Sequence, residues 1–415
     1  MPAESPAGTQ VDPSSIPPPV RQLAARLEEE GERVWLVGGA VRDLVFGRPP
    51  RDFDLATTAP PERVLACLPR AVPIGLRFGT VMVPLPPPVG PVDVTSLRRG
   101  PGIEDDLAHR DFTLNALALE LPGGRVVDPA GGLRDLREGR LRAVGSARER
   151  FREDPVRALR AARFVATLGV EPDAELVQAM GEAGGGLRDV APERIRGELA
   201  RLLCGPSASR GVELLHRTGV APVIAPGARK EAAARMDSLP RDLALRLAAW
   251  LGREAAPAVL RRLRLPRAVV RRVERILGVS LPRRVREPDR LLRRLVSRHG
   301  EEAVTGALLL RAAGLDPTGA AVDPEARAEA RRLLERLLLL RAAGTLHLGR
   351  DQLALSGREV MEVLGIPPGP AVGRALDHLL AVVLADPARN RPDTLREELR
   401  RWWRNQDEAP IIEGA

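Results

Sequence analysis

The stretch VWLVGGAVRDLVFGRPPRDFDLATT, residues 34–58, decides the fold of this chain. Residues 34–37 are a compact apolar run, which predicts a buried strand. Gly38 and Gly39 follow, and without a Cβ they let the backbone turn tightly and approach a ligand closely. Residues 40–46 predict a short helix whose free N–H groups and positive dipole end point at the glycine turn. This arrangement predicts an anion site.

Charged side chains follow the predicted turn. Arg42 supplies a guanidinium fork that suits phosphate. After the helix stop GRPP, residues 51–57 predict an extended segment, and strand alternation places Asp52 and Asp54 on the same side. Their Cα atoms would lie about 6.5 Å apart. Two carboxylates at that separation can hold a pair of Mg²⁺ ions, while substrate phosphates complete the metal shell. The pattern therefore predicts activation of a nucleoside triphosphate.

Each signal alone is ambiguous, because a Gly-Gly pair is usually a turn and an Asp-x-Asp is usually a solvated strand face. Together they resemble the nucleotidyltransferase signature of the polymerase-β superfamily. The form GGAVRD followed by RDFD resembles in particular the bacterial-type (class II) tRNA nucleotidyltransferase and poly(A) polymerase family. The resemblance implies an α+β fold, in which a mixed α/β nucleotidyltransferase (polymerase-β-like) head is followed by an all-α neck, body and tail.

Length and composition agree with several domains and a basic surface. The chain has 415 residues, more than a single core usually holds, and 44% of them are apolar. Lys and Arg number 64 against 55 Asp and Glu, a net charge of +9. This excess favours a polyanionic partner, but a GC-rich genome would produce it equally well.

The sequence also bears on the cellular compartment. Cys67 and Cys204 are far apart and lack metal-like spacing, as expected in a reducing cytosol. No apolar run approaches the ~20 residues of a membrane span, and no secretion signal is recognisable. We therefore expect a cytoplasmic protein with no membrane partner.

The order of predicted elements divides the chain into five segments. A Pro-, Ser- and Gly-rich stretch predicts a disordered N-terminal tail. The resemblance assigns catalysis to the head, base recognition to the neck and tRNA binding to the helical tail. The boundaries are 1–19 for the disordered tail, 20–140 for the head, 141–205 for the neck, 206–330 for the helical body and 331–415 for the helical tail.

The second half of the predicted head holds two further features. Asp93 stands in a predicted strand, PVDVTSLR, where the resemblance places a third acidic residue that supports the metals. A surface Asp on an edge strand is the alternative. The connection at 98–103, RRGPGI, is short. Members that add a complete CCA end, or its final A, resemble this chain but carry a longer flexible loop here. The resemblance therefore favours addition of cytidines only.

The sequence EDDLAHRDFTLNALAL resembles the second motif of the family, with His109 in place of the first of its usual two arginines. The resemblance gives Arg110 and Asp111 roles at the triphosphate and the ribose, with Asn115 supporting them. Arg is a charge-assisted donor to phosphate, and Asp accepts from a ribose hydroxyl. The structural alternative is that Asp111 caps a helix and Arg110 pairs with Asp106 one turn earlier.

A third motif, EDPVRALRAARF, lies in the predicted neck. Asp154 and the following Pro predict a helix start, and Arg157, Arg160 and Arg163 recur along one face. A helix cap and a solvated arginine row are the ordinary interpretation. EDPVR, however, matches the EDxxR motif of the family, in which side chains act as the template. The resemblance implies that Asp154 accepts from the cytosine 4-amino group and Arg157 donates to O2 and N3. Arg160 and Arg163 would support the triphosphate or position Arg157.

Later segments receive a structural interpretation. PERIRGELARLL matches the last motif of the family, and we expect it to brace the base-reading helix through helix-spaced pairs of Glu193, Arg194, Glu198 and Arg201. From about residue 206 the chain has helical periodicity with many arginines. These arginines either contact a phosphate backbone or form solvated helix faces.

The resemblance implies an enzyme that adds nucleotides to the 3′ end of tRNA without a template, with Mg²⁺ as cofactor. We expect addition of two cytidines (CC) from CTP with release of pyrophosphate. Complete CCA addition, which also uses ATP, is the first alternative. Poly(A) polymerase activity and a catalytically silent RNA-binding protein are further alternatives, and the intact Asp52 and Asp54 argue against the silent protein.

Overall fold

The computed structural model describes residues 9–50, 52–76, 79–97, 100, 102–318 and 322–407. Arg51, predicted to be extended, and three residues of the short connection, Arg98, Arg99 and Pro101, lie outside the described residues. The chain forms two compact units, Met1–Ile224 and Ala225–Ala415. The expected α+β class is confirmed, because the strands of the described residues lie in the first unit and the second is helical.

The first unit is built on a sheet that has seven strands within the described residues. They are β1 (Val34–Val37), β2 (Asp54–Thr57), β3 (Val72–Gly75), β4 (Thr80–Val83), β5 (Val92–Ser96), β6 (Ala118–Leu121) and β7 (Val126–Val127). Their order across the sheet is β3-β4-β5-β2-β1-β6-β7. β2 and β5 are parallel, and the other neighbours are antiparallel.

Helices surround this sheet and continue into the neck. They are α1 (Pro18–Glu29), α2 (Gly39–Val45), α3 (Pro61–Cys67), α4 (Ile103–Leu107), α5 (Gly132–Arg137), α6 (Ala147–Glu153), α7 (Val156–Leu168), α8 (Ala174–Ala183), α9 (Pro192–Leu203), α10 (Ala208–Arg217) and α11 (Ala221–Ile224). A short parallel pair, β8 (Arg140–Leu141) and β9 (Glu171–Pro172), lies between α5 and α8 in the chain.

Both faces of β1, which lies inside the sheet between β2 and β6, are covered, and this explains its uninterrupted apolar sequence. One face packs against α1 and α3 through a core that includes Leu36. The other packs against α4 through a core that includes Trp35 and Val37. Asp54 is the register partner of Val37. Since strand side chains alternate, Asp54 belongs to the α4 side of the sheet.

The second unit is helical, as its periodicity predicts. Its helices are α12 (Leu243–Arg262), α13 (Arg267–Gly278), α14 (Pro288–His299), α15 (Glu301–Ala312), α16 (Pro324–Ala342), α17 (Gly357–Leu364), α18 (Pro370–Ala385) and α19 (Pro392–Asp407). One core joins α14, α15 and α16, and another joins α17, α18 and α19. Within the described ranges, no helix combines the length and apolarity needed to cross a membrane.

The predicted disordered tail over residues 1–19 is wrong for its described part, which begins at residue 9. Gln10 forms an isolated β-bridge with Arg125. Ile16 is fully buried in the core beneath the sheet, and α1 already begins at Pro18. The buried Ile16 anchors this segment. The Pro and Ser residues around it are typical of disordered segments, and for this reason the sequence predicted disorder.

Three predicted domain boundaries differ from the observed elements. The boundary at 140/141 falls inside β8, and that at 330/331 falls inside α16. The boundary at 205/206 assigned α10 to the body, but α10 packs on α7. A Cβ at Gly211 would lie 2.8 Å from the Ala162 carbonyl oxygen. Periodicity locates helices along the chain, whereas packing between helices depends on contacts distant in sequence.

Candidate active site

The glycine turn after β1 brings backbone and guanidinium together. Gly38 has a φ of 74°, a left-handed conformation that side chains disfavour, and its N–H donates to the Leu117 carbonyl at 2.9 Å. α2 begins at Gly39. A Cβ at Gly39 would lie 3.4 Å from Nη2 of Arg42, so the guanidinium lies beside the turn. Backbone donors of the first helical turn and a forked cation therefore lie together, an arrangement that suits phosphate.

Arg42 also joins two motifs that are 73 residues apart. Its Nη1 donates to Oδ1 of Asn115 at 3.2 Å, and its Nε donates to Oδ1 of Asp43 at 2.9 Å. Asn115 lies in the 3₁₀ helix Thr113–Asn115 and is 9% exposed. Asn115 thus orients Arg42, which fits the supporting role that the resemblance implied.

Three carboxylates gather where β2 and β5 run side by side. Asp54 opens β2 and is the register partner of Asp93 on β5, and Asp52 lies two residues earlier. Asp54 is exposed, yet its pKa is raised, first of all because neighbouring protein partly desolvates the carboxyl. The charge of Asp93 raises the pKa of Asp54 further, that of Arg110 lowers it, and that of Asp52 raises it. The structure therefore brings the predicted acidic residues together in one negative cluster.

The donor chemistry of this cluster fits a hard divalent cation. Carboxylate oxygens are ligands that Mg²⁺ prefers, and a cation would offset the repulsion that raises the pKa of Asp54. Within the described residues, no group of three or more His, Cys, Asp and Glu side chains is arranged to hold a metal ion. Mg²⁺ commonly takes one or two carboxylates and completes its shell with substrate phosphates. Asp52 and Asp54 therefore fit the ion as an open pair rather than as a closed cage.

In the second motif, Arg110 contacts a residue of the head, and Asp111 contacts a residue of the neck. Arg110 pairs with Asp106 at 3.1 Å, as the structural alternative predicts, and its charge also acts on Asp54. Asp111 is 6% exposed and forms an ion pair of 2.9 Å with Arg160 of α7. Its Oδ2 is buried and has no aligned hydrogen bond among the described residues. It is the oxygen that pairs with Nη2 of Arg160, so the structure shows Asp111 joining the second motif to α7, and its contact with a ribose hydroxyl stays a prediction.

The predicted base-reading residues lie where α6 gives way to α7. Asp154 follows α6 with extended backbone (φ −152°, ψ 99°), and α7 begins at Val156, one residue later than the sequence predicts. Arg157 lies in the first turn of α7. Its Nη1 donates to the Arg150 carbonyl at 3.0 Å and to Oε2 of Glu153 at 2.7 Å. Protein contacts therefore fix the guanidinium that would read the base.

Arg163 has a different environment from the rest of the arginine row. It forms an ion pair of 2.6 Å with Glu198 of α9, and its guanidinium lies 3.9 Å from the centroid of the Phe164 ring. Burial lowers the pKa of Arg163, and the charge of Glu198 opposes this effect. Arg163 therefore joins α7 to α9, and its support of the triphosphate stays a prediction.

The contact between Arg194 and Asp154 was not predicted from the sequence. The expected bracing of α7 by α9 is seen in the Glu198 pair. Arg194, one turn before Glu198, donates through Nη2 to Oδ2 of Asp154 at 2.6 Å. The two partners are 40 residues apart. The sequence signal was limited to the helical spacing of Arg194 and Glu198, which does not identify Asp154 as a partner.

Two family models match the chain. The Poly A polymerase head domain matches residues 34–142, which include the glycine turn, the acidic cluster and the second motif. The probable RNA and SrmB-binding site of polymerase A matches residues 169–231, which include helices α8 to α11.

One curated relative matches along nearly the whole length of the chain, and another matches about half of it. The chain is 34% identical over 398 residues to the CCA-adding enzyme of Geobacillus stearothermophilus, a match that covers 90% of this chain and 94% of that protein. It is 41% identical over 222 residues to the CC-adding tRNA nucleotidyltransferase of Halalkalibacterium halodurans, covering 53% of this chain and 58% of that protein.

Solved structures have the same fold. The crystal structure of the Bacillus stearothermophilus CCA-adding enzyme in complex with CTP matches with a TM-score of 0.76 and 30% identity, over 95% of this chain and 100% of that chain. The Thermotoga maritima CCA-adding enzyme complexed with tRNA matches in fold with a TM-score of 0.70 and 21% identity, over 94% and 97% of the two chains.

The fold, a nucleotidyltransferase head that continues into a helical neck, defines the protein as a nucleotidyltransferase. At 34% identity over nearly its whole length, the chain belongs to the bacterial-type tRNA nucleotidyltransferase and poly(A) polymerase family, and it is an enzyme with tRNA nucleotidyltransferase activity. The resemblance inferred from GGAVRD, RDFD and EDPVR is thereby confirmed.

Proposed function

We propose that this enzyme adds two cytidines, one after the other, to the 3′ end of tRNA from CTP, with release of pyrophosphate. The observation that carries the proposal is the ion pair of 2.9 Å between Asp111 and Arg160. It links the motif beside the phosphate-binding turn to α7, the helix that carries Arg157 at its start. One nucleotide could then be held by its phosphates and ribose in the head and by its base at the neck.

Base choice would rest on donor and acceptor pattern. An Asp carboxylate offers acceptors only, and an Arg guanidinium offers donors only. Asp154 would accept from the 4-amino group of cytosine, and Arg157 would donate to O2 and N3. Uracil has a carbonyl oxygen where cytosine has the amino group, so it would face the Asp154 carboxylate with a second acceptor. An unpaired buried acceptor costs about 1–3 kcal/mol, which is enough to reject UTP.

The order of strands supports an in-line attack on the α-phosphate. The glycine turn and Arg42 follow β1, which lies on one side of β2 and Asp54. β5 and Asp93 lie on the other side. With the triphosphate on the β1 side, the RNA 3′-hydroxyl would approach from the β5 side, opposite the leaving pyrophosphate. Catalysis would then consist mainly of positioning and charge neutralisation.

Enzymes of this family use divalent metal ions, and we propose Mg²⁺ for this one. Asp52 and Asp54 would hold it, with Asp93 adding its negative charge from β5. When bound, Mg²⁺ lowers the pKa of an attacking hydroxyl and stabilises charge on transferring and leaving phosphates. The residues of the chain would supply the rest, since Arg42 and the glycine turn orient the triphosphate while Arg110 and Asp111 flank it.

The tRNA would be held mainly through its phosphates. The matched RNA-binding family segment at residues 169–231 and the net charge of +9 support this partner. In the second unit, Arg267, Arg271 and Arg275 are exposed and stand one turn apart along α13. Such a row suits contacts that position a nucleic acid without reading its sequence.

The restriction to cytidines rests on the short connection at 98–103, part of which lies outside the described residues. The relative from Halalkalibacterium halodurans is named as a CC-adding enzyme. Complete CCA addition, using CTP and then ATP, is the second candidate. It is favoured by the relative from Geobacillus stearothermophilus, which is named as a CCA-adding enzyme and matches 90% of the chain.

A primer-extension assay tests the proposal. Purified protein would be incubated with Mg²⁺, CTP, ATP and a tRNA transcript that ends at its discriminator base, and products would be sequenced. We expect extension to stop after two cytidines while ATP remains unused. A terminal A would replace the CC proposal with complete CCA addition. A long adenosine ladder would instead indicate poly(A) polymerase activity, and no extension at all would contradict the assigned reaction.

A further inference from the structure

Asp154 and Arg157 are held by different elements of the neck. Arg157 is held from α6, because its Nη1 donates to the Arg150 carbonyl and to Glu153. Asp154 is held from α9, because its Oδ2 accepts from Nη2 of Arg194 at 2.6 Å. The two helices α6 and α9 therefore converge on the short segment between α6 and α7.

These contacts leave each side chain with unused hydrogen-bonding capacity. Arg has five N–H donors, and Arg157 uses those of Nη1 within the protein, while its Nε and Nη2 have no hydrogen bond to the part of the chain that the structure describes. Asp154 has two oxygens with about four acceptor sites. Oδ2 is bound to Arg194, and Oδ1 has a long contact of 3.3 Å with the Val156 N–H. Arg194 thus makes the strongest contact that defines where the Asp154 carboxylate points.

The frame that carries Arg194 is itself well fixed. One turn later on α9, Glu198 forms the 2.6 Å ion pair with Arg163 of α7. On another side, a Cβ at Gly186 would lie 2.8 Å from Cγ of Pro155, so the 3₁₀ helix Gly184–Arg188 packs tightly against the residue after Asp154. A contact from this frame therefore defines the Asp154 carboxylate within a small range of positions.

We propose that Arg194 is a positioning residue for nucleotide selection. Through its charge-assisted hydrogen bond it holds the Asp154 carboxylate in the orientation that accepts from the cytosine amino group. The inference rests on the proposed function, because it assigns the orientation of a base-reading residue. It adds to that function a residue that touches neither base nor phosphate.

The test compares nucleotide selectivity in full-length variants. Arg194→Met keeps much of the side-chain volume and removes the guanidinium. Wild type and variant would be assayed with the trimmed tRNA transcript, and kcat/KM would be measured separately for CTP and UTP. We expect the CTP:UTP ratio to fall about tenfold, since a charge-assisted hydrogen bond is roughly twice as strong as a neutral one. The loss should appear mainly in KM for CTP, and Arg194→Lys should restore part of it.

A matched control is available in the neck. Arg148 of α6 and Glu182 of α8 form an ion pair of 2.6 Å, the same length as the Arg194–Asp154 pair, and their side chains are 50% and 43% exposed. Arg148→Met removes an arginine of similar exposure, because the Arg194 side chain is 54% exposed. We expect the control variant to keep the wild-type CTP:UTP ratio.

A double-mutant cycle separates positioning from bracing. If Arg194 acts through Asp154, adding Arg194→Met to Asp154→Ala should lower the CTP:UTP ratio no further than Asp154→Ala alone. Equal loss of CTP and UTP turnover in Arg194→Met, with an unchanged ratio, would reduce Arg194 to a structural brace and overturn the inference. Should the wild-type enzyme fail to add cytidine at all, the proposed function would fail first, and that outcome is visible before any variant is compared.

Discussion

In the head, Asp52, Asp54 and Asp93 lie together without an ion-pair partner among the described residues, whereas in the neck Asp154 and Arg163 each have one at 2.6 Å. The difference separates two uses of charge. Repulsion among the carboxylates lowers the stability of the folded head, and a bound cation would remove that repulsion. Paired charge fixes the direction of side chains in the neck, as selection of a base by hydrogen bonds requires. The head is therefore suited to catalysis and the neck to discrimination.

The largest effect should follow removal of the acidic pair in the head. In Asp52→Ala/Asp54→Ala, the residues that would hold the divalent ion lose both carboxylates. Since metal ions supply several kcal/mol of stabilisation to phosphoryl transfer, we expect addition to fall about a thousandfold or more. Binding of tRNA should stay within a few fold, because its phosphates would contact other residues. Single-turnover extension and filter binding measure the two quantities.

A control for this variant is Glu182→Gln, which removes an exposed acidic charge in the neck and should leave addition unchanged. Substantial activity in the double alanine variant would show that other residues hold the catalytic ion. A parallel collapse of tRNA affinity would show that the acidic cluster also shapes the RNA site.

The head was the more predictable of these regions, for a physical reason. Its functional groups are local: the turn at Gly38 and the pair of Asp52 and Asp54 lie within one strand–helix–strand unit, so spacing alone brings them together. The neck depends on contacts between helices. The partner of Asp154 is 40 residues away, and no local period specifies that pairing. Asp93 is intermediate, because strand alternation gives its face but not its register with Asp54.

The second largest effect should be a loss of folding stability when the ion pair between Glu198 and Arg163 in the neck is broken. Glu198 and Arg163 are 13% and 14% exposed at their side chains. Glu198→Gln removes one charge and leaves the other largely buried without a counter-charge. Breaking a buried pair costs about 3–5 kcal/mol, and since this pair is only partly buried we expect about 2 kcal/mol. Urea unfolding of the full chain, followed by circular dichroism, would measure the loss.

The matched substitution is again Glu182→Gln, because the Glu182–Arg148 pair has the same 2.6 Å length but is about half exposed. Exposed pairs contribute about 0–1 kcal/mol, so this variant should unfold close to wild type. Equal losses in the two variants would mean that burial does not distinguish the neck pairs.

The smallest effect should be a gain in the stability of the folded protein, opposite in sign to the loss expected for Glu198→Gln, and it concerns the head. Burial and the charge of Asp93 raise the pKa of Asp54, so its ionised form destabilises the folded state at neutral pH. Asp54→Asn removes that charge and should raise the melting temperature in the presence of a chelator. Because Asp54 is exposed to solvent, water screens the repulsion, and we expect a gain of only about 2 °C.

The pH dependence of this gain follows from linkage. A group whose pKa is raised by folding favours the folded state most when protonated, and this contribution is lost as pH rises through the raised pKa. The gain of Asp54→Asn should therefore shrink as pH falls toward the ordinary pKa of an aspartate. Excess Mg²⁺ should also shrink it at neutral pH, because the ion stabilises wild type more than the variant. Differential scanning calorimetry, with the exposed Glu213→Gln of α10 as a control, measures all three comparisons. A lower melting temperature for Asp54→Asn in chelator would mean that the Asp54 carboxylate is already compensated within the protein, and the contrast between an uncompensated head and a paired neck would not hold.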